Sequence, residues 1–192
     1  MPVYLVFMQV AMGISLAACA GLRAFLPLLV ISILARTGYL HLHQGFEWMA
    51  SIPALITFST ASVVEILGDK IPAVDNFLDS AGIVIKPVAG AVLVSSLVVR
   101  MDPLLAVVLG IIAGGSIAGI IHTGKAGLRI ASTGLTLGMA NPIVSAAEDL
   151  GAVSGIALAI VAPVVALAMI LLVSILVRRF IRRRASVEGS PQ

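Results

Sequence analysis

The chain has 192 residues, 60% of them hydrophobic and 11% charged, with a mean hydropathy of +1.15 and a formal net charge of +3. That composition lies outside the range of soluble domains and implies an integral membrane protein with little mass beyond the bilayer. The positive balance does not signal nucleic-acid binding, because Arg178, Arg179, Arg182, Arg183 and Arg184 form one cluster after the last apolar run, the pattern of a cytoplasmic flank.

Residues 3–20 are long enough to span a bilayer, for which about 20 residues are needed. Within them, Leu16-Ala17-Ala18-Cys19 resembles the box at which bacterial lipoproteins are cut, but no Lys or Arg precedes it, as a secretory signal would require. Cys19 is therefore expected to be a small core thiol, and as a lone cysteine it offers no intramolecular disulfide. Gly21 and Arg23 end this run. Residues 24–35 form an apolar stretch too short to cross comfortably, which predicts a re-entrant or interfacial segment. A loop with His41 and His43 follows; their i, i+2 spacing suits neither a helical face nor zinc.

Residues 49–67 predict the next span, with Glu65 near its end, and the polar segment 68–79 follows with Asp69, Lys70, Asp75 and Asp79. Pro72 within it cannot continue a helix. Residues 81–99 span again, with Lys86 and Pro87 inside the run. In residues 104–121, Gly110, Gly114, Gly115 and Gly119 form a small-residue face suited to helix packing and to homo-oligomer contact. Residues 130–147, interrupted by Asn141-Pro142, and residues 153–177 complete the expected crossings.

Two motifs recur in the same order. Ala20-Gly21-Leu22-Arg23 returns as Ala126-Gly127-Leu128-Arg129, and Ser62-Val63-Val64-Glu65-Ile66-Leu67-Gly68 is echoed by Ser145-Ala146-Ala147-Glu148-Asp149-Leu150-Gly151. Ordered repetition with polar breaks in a very apolar chain points to two related halves, as in small transporters. The expected fold is all-α and polytopic: one transmembrane domain over residues 1–185, with repeats at about 3–100 and 103–178, and a disordered cytoplasmic tail at 186–192. With a re-entrant segment at 24–35, six full spans result, the halves are inverted, and both termini are cytoplasmic. Arg23 and Glu148 then share the outer face, and Arg129 and Glu65 the inner one. If residues 24–35 cross fully, the count is seven and the N-terminus is outside.

Gly21 and Gly127 are expected where the backbone leaves regular helix. Arg23 and Arg129, each beside a glycine at the start of an apolar segment, suit an anion held at a helix N-terminus, and Lys125 lies close by. Glu65 and Glu148 are candidate counter-charges or proton carriers, because intramembrane carboxylates are costly and mark ion pathways. Asp69, Asp75 and Asp79 offer oxygen ligands to a divalent metal, although their spacing matches no EF-hand. No motif of nucleophilic catalysis or nucleotide binding is present in the sequence, so neither an enzyme nor a cofactor is expected.

The stretches Ala20-Gly21-Leu22-Arg23-Ala24-Phe25-Leu26-Pro27 and Glu65-Ile66-Leu67-Gly68-Asp69-Lys70-Ile71-Pro72-Ala73-Val74-Asp75 resemble the bacterial membrane family catalogued as domain of unknown function 4126. The resemblance covers most of the chain apart from the Arg-rich tail and implies no particular activity. The expected function is a small secondary transporter or lipid translocase of the bacterial inner membrane, moving an anionic or phosphate-bearing substrate among membrane lipids. The alternatives are a cation transporter using the acidic residues and a structural membrane protein whose charges lock helices together.

Overall fold

The structure is a computed structural model that describes residues 3–136 and 141–188. Proline and side-chain caps set many of the helix starts. α1 spans Val3–Leu22 and α2 Phe25–Arg36. A short 3₁₀ turn at Glu47–Ala50 leads into α3, Ile52–Gly68, where the Ser51 hydroxyl accepts from the Ala54 amide. α4, Pro72–Leu97, begins at a proline whose missing N–H costs nothing in the first turn. Asp102 caps α5, Pro103–Leu109, by accepting from Leu104 N and Leu105 N at 2.9 and 3.3 Å. A π-helical segment, Gly110–Gly115, joins α5 to α6, Ser116–Thr136. α7, Asn141–Val161, and α8, Pro163–Glu188, complete the chain.

The described residues are therefore helical apart from turns and short connections. Four helical stretches are long and apolar enough to cross a membrane: Tyr4–Leu22, Val74–Leu97, Pro103–Ser132 and Ile143–Val161. Three apolar helices are shorter, Phe25–Arg36, Ile52–Gly68 and Pro163–Leu176. Leu104, Leu105, Ile111 and Ile112 on one rod and Val165, Met169, Leu172 and Val173 on α8 are exposed, as a lipid-facing surface requires.

α1 is the central rod, packed against α4, α6, α7 and α8. Its small residues permit this. A Cβ on Gly21 would stand 2.6 Å from the Ala118 carbonyl oxygen, so glycine here sets the approach of α6. Cys19 is buried in the same helix and faces Gly155 of α7. Leu16, Leu28, Ile31, Met49, Leu93 and Leu97 fill the adjoining core.

Named contacts fix the direction of each rod. Arg23 meets Ser145 while Cys19 meets Gly155, so α7 runs antiparallel to α1. Lys86 reaches Leu22 O while Val94 lies on Gly13, so α4 does the same. Pro163 lies beside Leu5 and Met8, and Val173 near Leu22, so α8 runs parallel to α1. The start of α1 and the end of α8 consequently lie at opposite ends of the bundle.

Several expectations are corrected by this arrangement. Residues 130–147 are not a crossing: Asn141-Pro142 opens α7 instead of interrupting a span, because proline is tolerated in a first turn. Residues 153–177 are two helices, since Pro163 has no N–H for the ladder and starts α8. Glu148 thus lies two turns into α7, at the same end as Arg129, and both Ala-Gly-Leu-Arg stretches run toward that end. The inverted relation of the halves and the shared side of the two termini fall with it. α8 continues to Glu188, so residues 186–188 are helical, and 189–192 lie outside the described residues. The glycine face is spent within the chain: a Cβ on Gly114 would overlap the Gly90 carbonyl, and Gly110 lies against Ser95 and Ala91 of α4. It is not free for a second copy.

Candidate functional site: a charged network at one end of the bundle

Six of the nine acidic residues of the chain gather at the end where α1, α3 and α6 finish. Arg23 follows the last turn of α1, its N–H still bonded to Cys19 O at 2.9 Å, and it is 1% exposed. Its Nη1 pairs with Asp69 Oδ2 at 2.6 Å and donates to Glu65 O at 3.1 Å; its Nη2 pairs with Asp149 Oδ1 at 2.6 Å. Burying a guanidinium this far is tolerable only with such partners.

Glu65 serves a different group. Its Oε1 accepts from Ala24 N at 2.9 Å and its Oε2 from Phe25 N at 3.2 Å. The carboxylate therefore covers the N-terminus of α2, where unpaired amides and the helix dipole favour a negative charge. The anion expected at this helix start is the chain's own side chain.

Arg129, in α6, gathers the remaining carboxylates. Its Nη1 donates to Asp75 and, at 3.2 Å, to Asp79; its Nη2 donates to Asp69 at 3.1 Å and to Glu148 at 3.3 Å. Asp69 Oδ2 thus bridges Arg23 and Arg129. Lys125, one turn earlier on α6, reaches Glu148 at 3.1 Å and Asp79 at 3.6 Å. Lys70 stands 3.4 Å from Ser145 Oγ, and Lys86 donates to Leu22 O at 3.1 Å, where the last carbonyls of α1 need a donor. Asp69 lies outside the apolar spans. Burial raises its pKa, but Arg23, Lys125 and Arg129 outweigh burial and hold the carboxyl below its ordinary value.

The structure brings together Arg23, Arg129, Lys125, Glu65 and Glu148, but in pairs other than those expected. Arg23 is held by Asp69 and Asp149 rather than by Glu148, and Arg129 by Glu148 and three aspartates rather than by Glu65. The difference has one source: a crossing over residues 130–147 would set Glu148 a full span from Arg129, whereas α7 starts at Asn141 and brings Glu148 to within 3.3 Å of it. Gly21 is still helical, and Gly127 lies in mid-α6 with open space where a Cβ would go, so neither marks a backbone break. Asp69, Asp75 and Asp79 do converge, but on a guanidinium. Among the described residues no group of three or more His, Cys, Asp or Glu is arranged to hold a metal ion. Asp149, Ser145 and Lys86 were missed as site residues; the signal for Lys86 was a charge set deep in an apolar run.

A hollow of about 600 Å³ opens between α4 and α6 against this network, with Asp75, Asp79, His122 and Arg129 on its walls and Ile83 and Ile130 beside them. Asp75 and Asp79 are partly exposed there, while Arg129 is nearly buried. Among the described residues the network holds six carboxylates and five cations.

Fold and site together define an all-helical membrane protein with a buried, multiply bridged charge network at one end. The chain belongs to the family described as Domain of unknown function (DUF4126), whose model matches residues 10–183. Neither the curated proteins nor the solved structures contain a match to it.

Proposed function

We propose that the protein is a small membrane carrier for a cation, coupled to the protonation or occupancy of the carboxylates around Arg129. The observation that carries this reading is the convergence of four carboxylates on one guanidinium at the wall of an open hollow. Arg129 acts as a tethered cation. A cation or protons entering the hollow neutralise Asp75 and Asp79 of α4, which leaves Arg129 held by Asp69 and Glu148 alone and loosens α6 from α4. Differential interaction of this kind is what lets a ligand shift one conformation into another. An anionic or phosphate-bearing substrate is the weaker reading, because both terminal nitrogens of the buried Arg23 are already paired with carboxylates and a further negative charge would join an acidic surplus. What favours it is that Arg129 still borders the hollow.

The positive-inside tendency places the charged end, where α8 carries exposed Arg178 and Arg179, in the cytoplasm of a bacterial inner membrane, with the start of α1 outside. The test is transport in proteoliposomes with a pH-sensitive dye inside. Asp79→Asn is expected to lower cation-driven flux about tenfold or more while leaving the fold intact. Anion-driven flux that survives Asp79→Asn and vanishes in Arg129→Gln would overturn the cation reading. A folded Asp79→Asn protein with unchanged flux would remove the site altogether.

A further inference from the structure

The end of the bundle opposite the charged network carries a second hollow, of about 560 Å³, between the start of α1, the turn after α2, the α4–α5 turn and the start of α8. Leu5, Met8 and Met12 form an apolar wall along α1, and Gln9, Tyr39, His41 and Arg100 stand around it. Among the described residues, none of these four polar side chains has a hydrogen-bond or ion-pair partner. That is the reverse of the network at the other end, where every cation is engaged.

Among the described residues no carboxylate lines this hollow. The nearest in sequence to Arg100, Asp102, is taken up by the first amides of α5 at 2.9 and 3.3 Å. Glu47 belongs to a separate hollow of about 210 Å³ on the far side of His41. The charge offered to a ligand is therefore positive.

Depth in the membrane follows from the aromatic residues. The two tyrosines and the single tryptophan of the chain, Tyr4, Tyr39 and Trp48, are all exposed at this end. Such residues collect where acyl chains give way to headgroups. The hollow is thus at headgroup level, with an apolar wall descending along α1 toward the acyl region.

We propose that this hollow seats the phosphate of an anionic lipid. Arg100 supplies the charge and a planar fork of donors suited to phosphate oxygens. Tyr39, His41 and Gln9 supply further donors, and the Leu5–Met8–Met12 face of α1 lies along the first part of an acyl chain. A free phosphate compound would use the donors but not the apolar wall, which is why the lipid is the better fit. The site is independent of the transport reading, since no residue is shared with the charged network.

The test uses the purified full chain and native mass spectrometry, with phosphatidic acid, phosphatidylglycerol, phosphatidylcholine and glycerol phosphate as probes. The two anionic lipids are expected to be retained and to raise the melting temperature above that given by phosphatidylcholine. Arg100→Gln is expected to weaken retention about tenfold, the scale of one lost charge-assisted contact. Arg100→Lys should lose less. Arg36→Gln, at the same end but outside the hollow, should bind as the parent does. Both arginines are exposed, so the variants are expected to fold, and an unchanged melting temperature without lipid checks it. Equal loss in Arg36→Gln would show general surface charge and overturn the proposal, as would unchanged binding in Arg100→Gln. Glycerol phosphate stabilising the protein as well as the lipids do would also overturn it.

Discussion

Removing Arg23 tests the network most directly, because its guanidinium is 1% exposed and its two ion pairs are both 2.6 Å long. Arg23→Leu leaves Asp69 with Arg129 at 3.1 Å, so that carboxylate keeps a partner. Asp149 keeps only Lys70 at 4.0 Å, though its side chain is 30% exposed and partly hydrated. Breaking a buried pair costs about 3–5 kcal/mol, and these residual partners put the loss near 3 kcal/mol. For a chain of this size each kcal/mol shifts the melting temperature by about 2–4 °C, so a drop of roughly 6–12 °C is expected. Cys19 is the sole cysteine and is buried, so a thiol-reactive dye reports unfolding directly in detergent. Arg23→Leu with Asp149→Leu removes both partners and should recover most of the stability, giving a coupling energy well above additivity. Arg23→Leu with Glu148→Leu should show no such rescue, since Glu148 belongs to Arg129 and Lys125. Rescue by the second pair and not the first, or no loss at all in Arg23→Leu, would refute the pairing described above.

Two further outcomes follow from the packing and the charges. Gly114→Ala places a methyl into the Gly90 carbonyl and should destabilise by about 1–3 kcal/mol, whereas Gly127→Ala meets nothing within 4 Å and should be neutral or stabilising by up to about 1 kcal/mol; both are read by the same thiol assay. Asp69 has a folded pKa below its unfolded one, so its contribution is present above the ordinary carboxylate value of about 4 and is lost as the pH falls through the folded pKa; a melting series should slope downward in that acid window, and Asp69→Asn should flatten the slope.

Composition and the length of the apolar runs determined that the chain is a helical membrane protein, because a continuous apolar run of about 20 residues satisfies its own backbone in lipid as a helix, whereas a barrel strand would alternate apolar and polar residues. The local order of residues also marked Arg23, Arg129, Lys125, Glu65 and Glu148 as exceptional, since each is a charge that burial would penalise. What the linear chain could not decide was which charge meets which. That depends on where helices start, and Pro142 and Pro163 can equally interrupt a span or open one. Moving one crossing changes the end at which Glu148 lies, and with it every partner in the network. The role of Glu65 was hidden for a related reason: its partners are the backbone amides of Ala24 and Phe25, and no side-chain pattern announces them. The glycines of α5 to α6 show the same limit, since a small-residue face has the same sequence whether it receives another chain or, as here, Gly90 and Ala91 of α4. Only the tertiary structure supplies the partner, because close approach is a property of two surfaces and the sequence states one at a time.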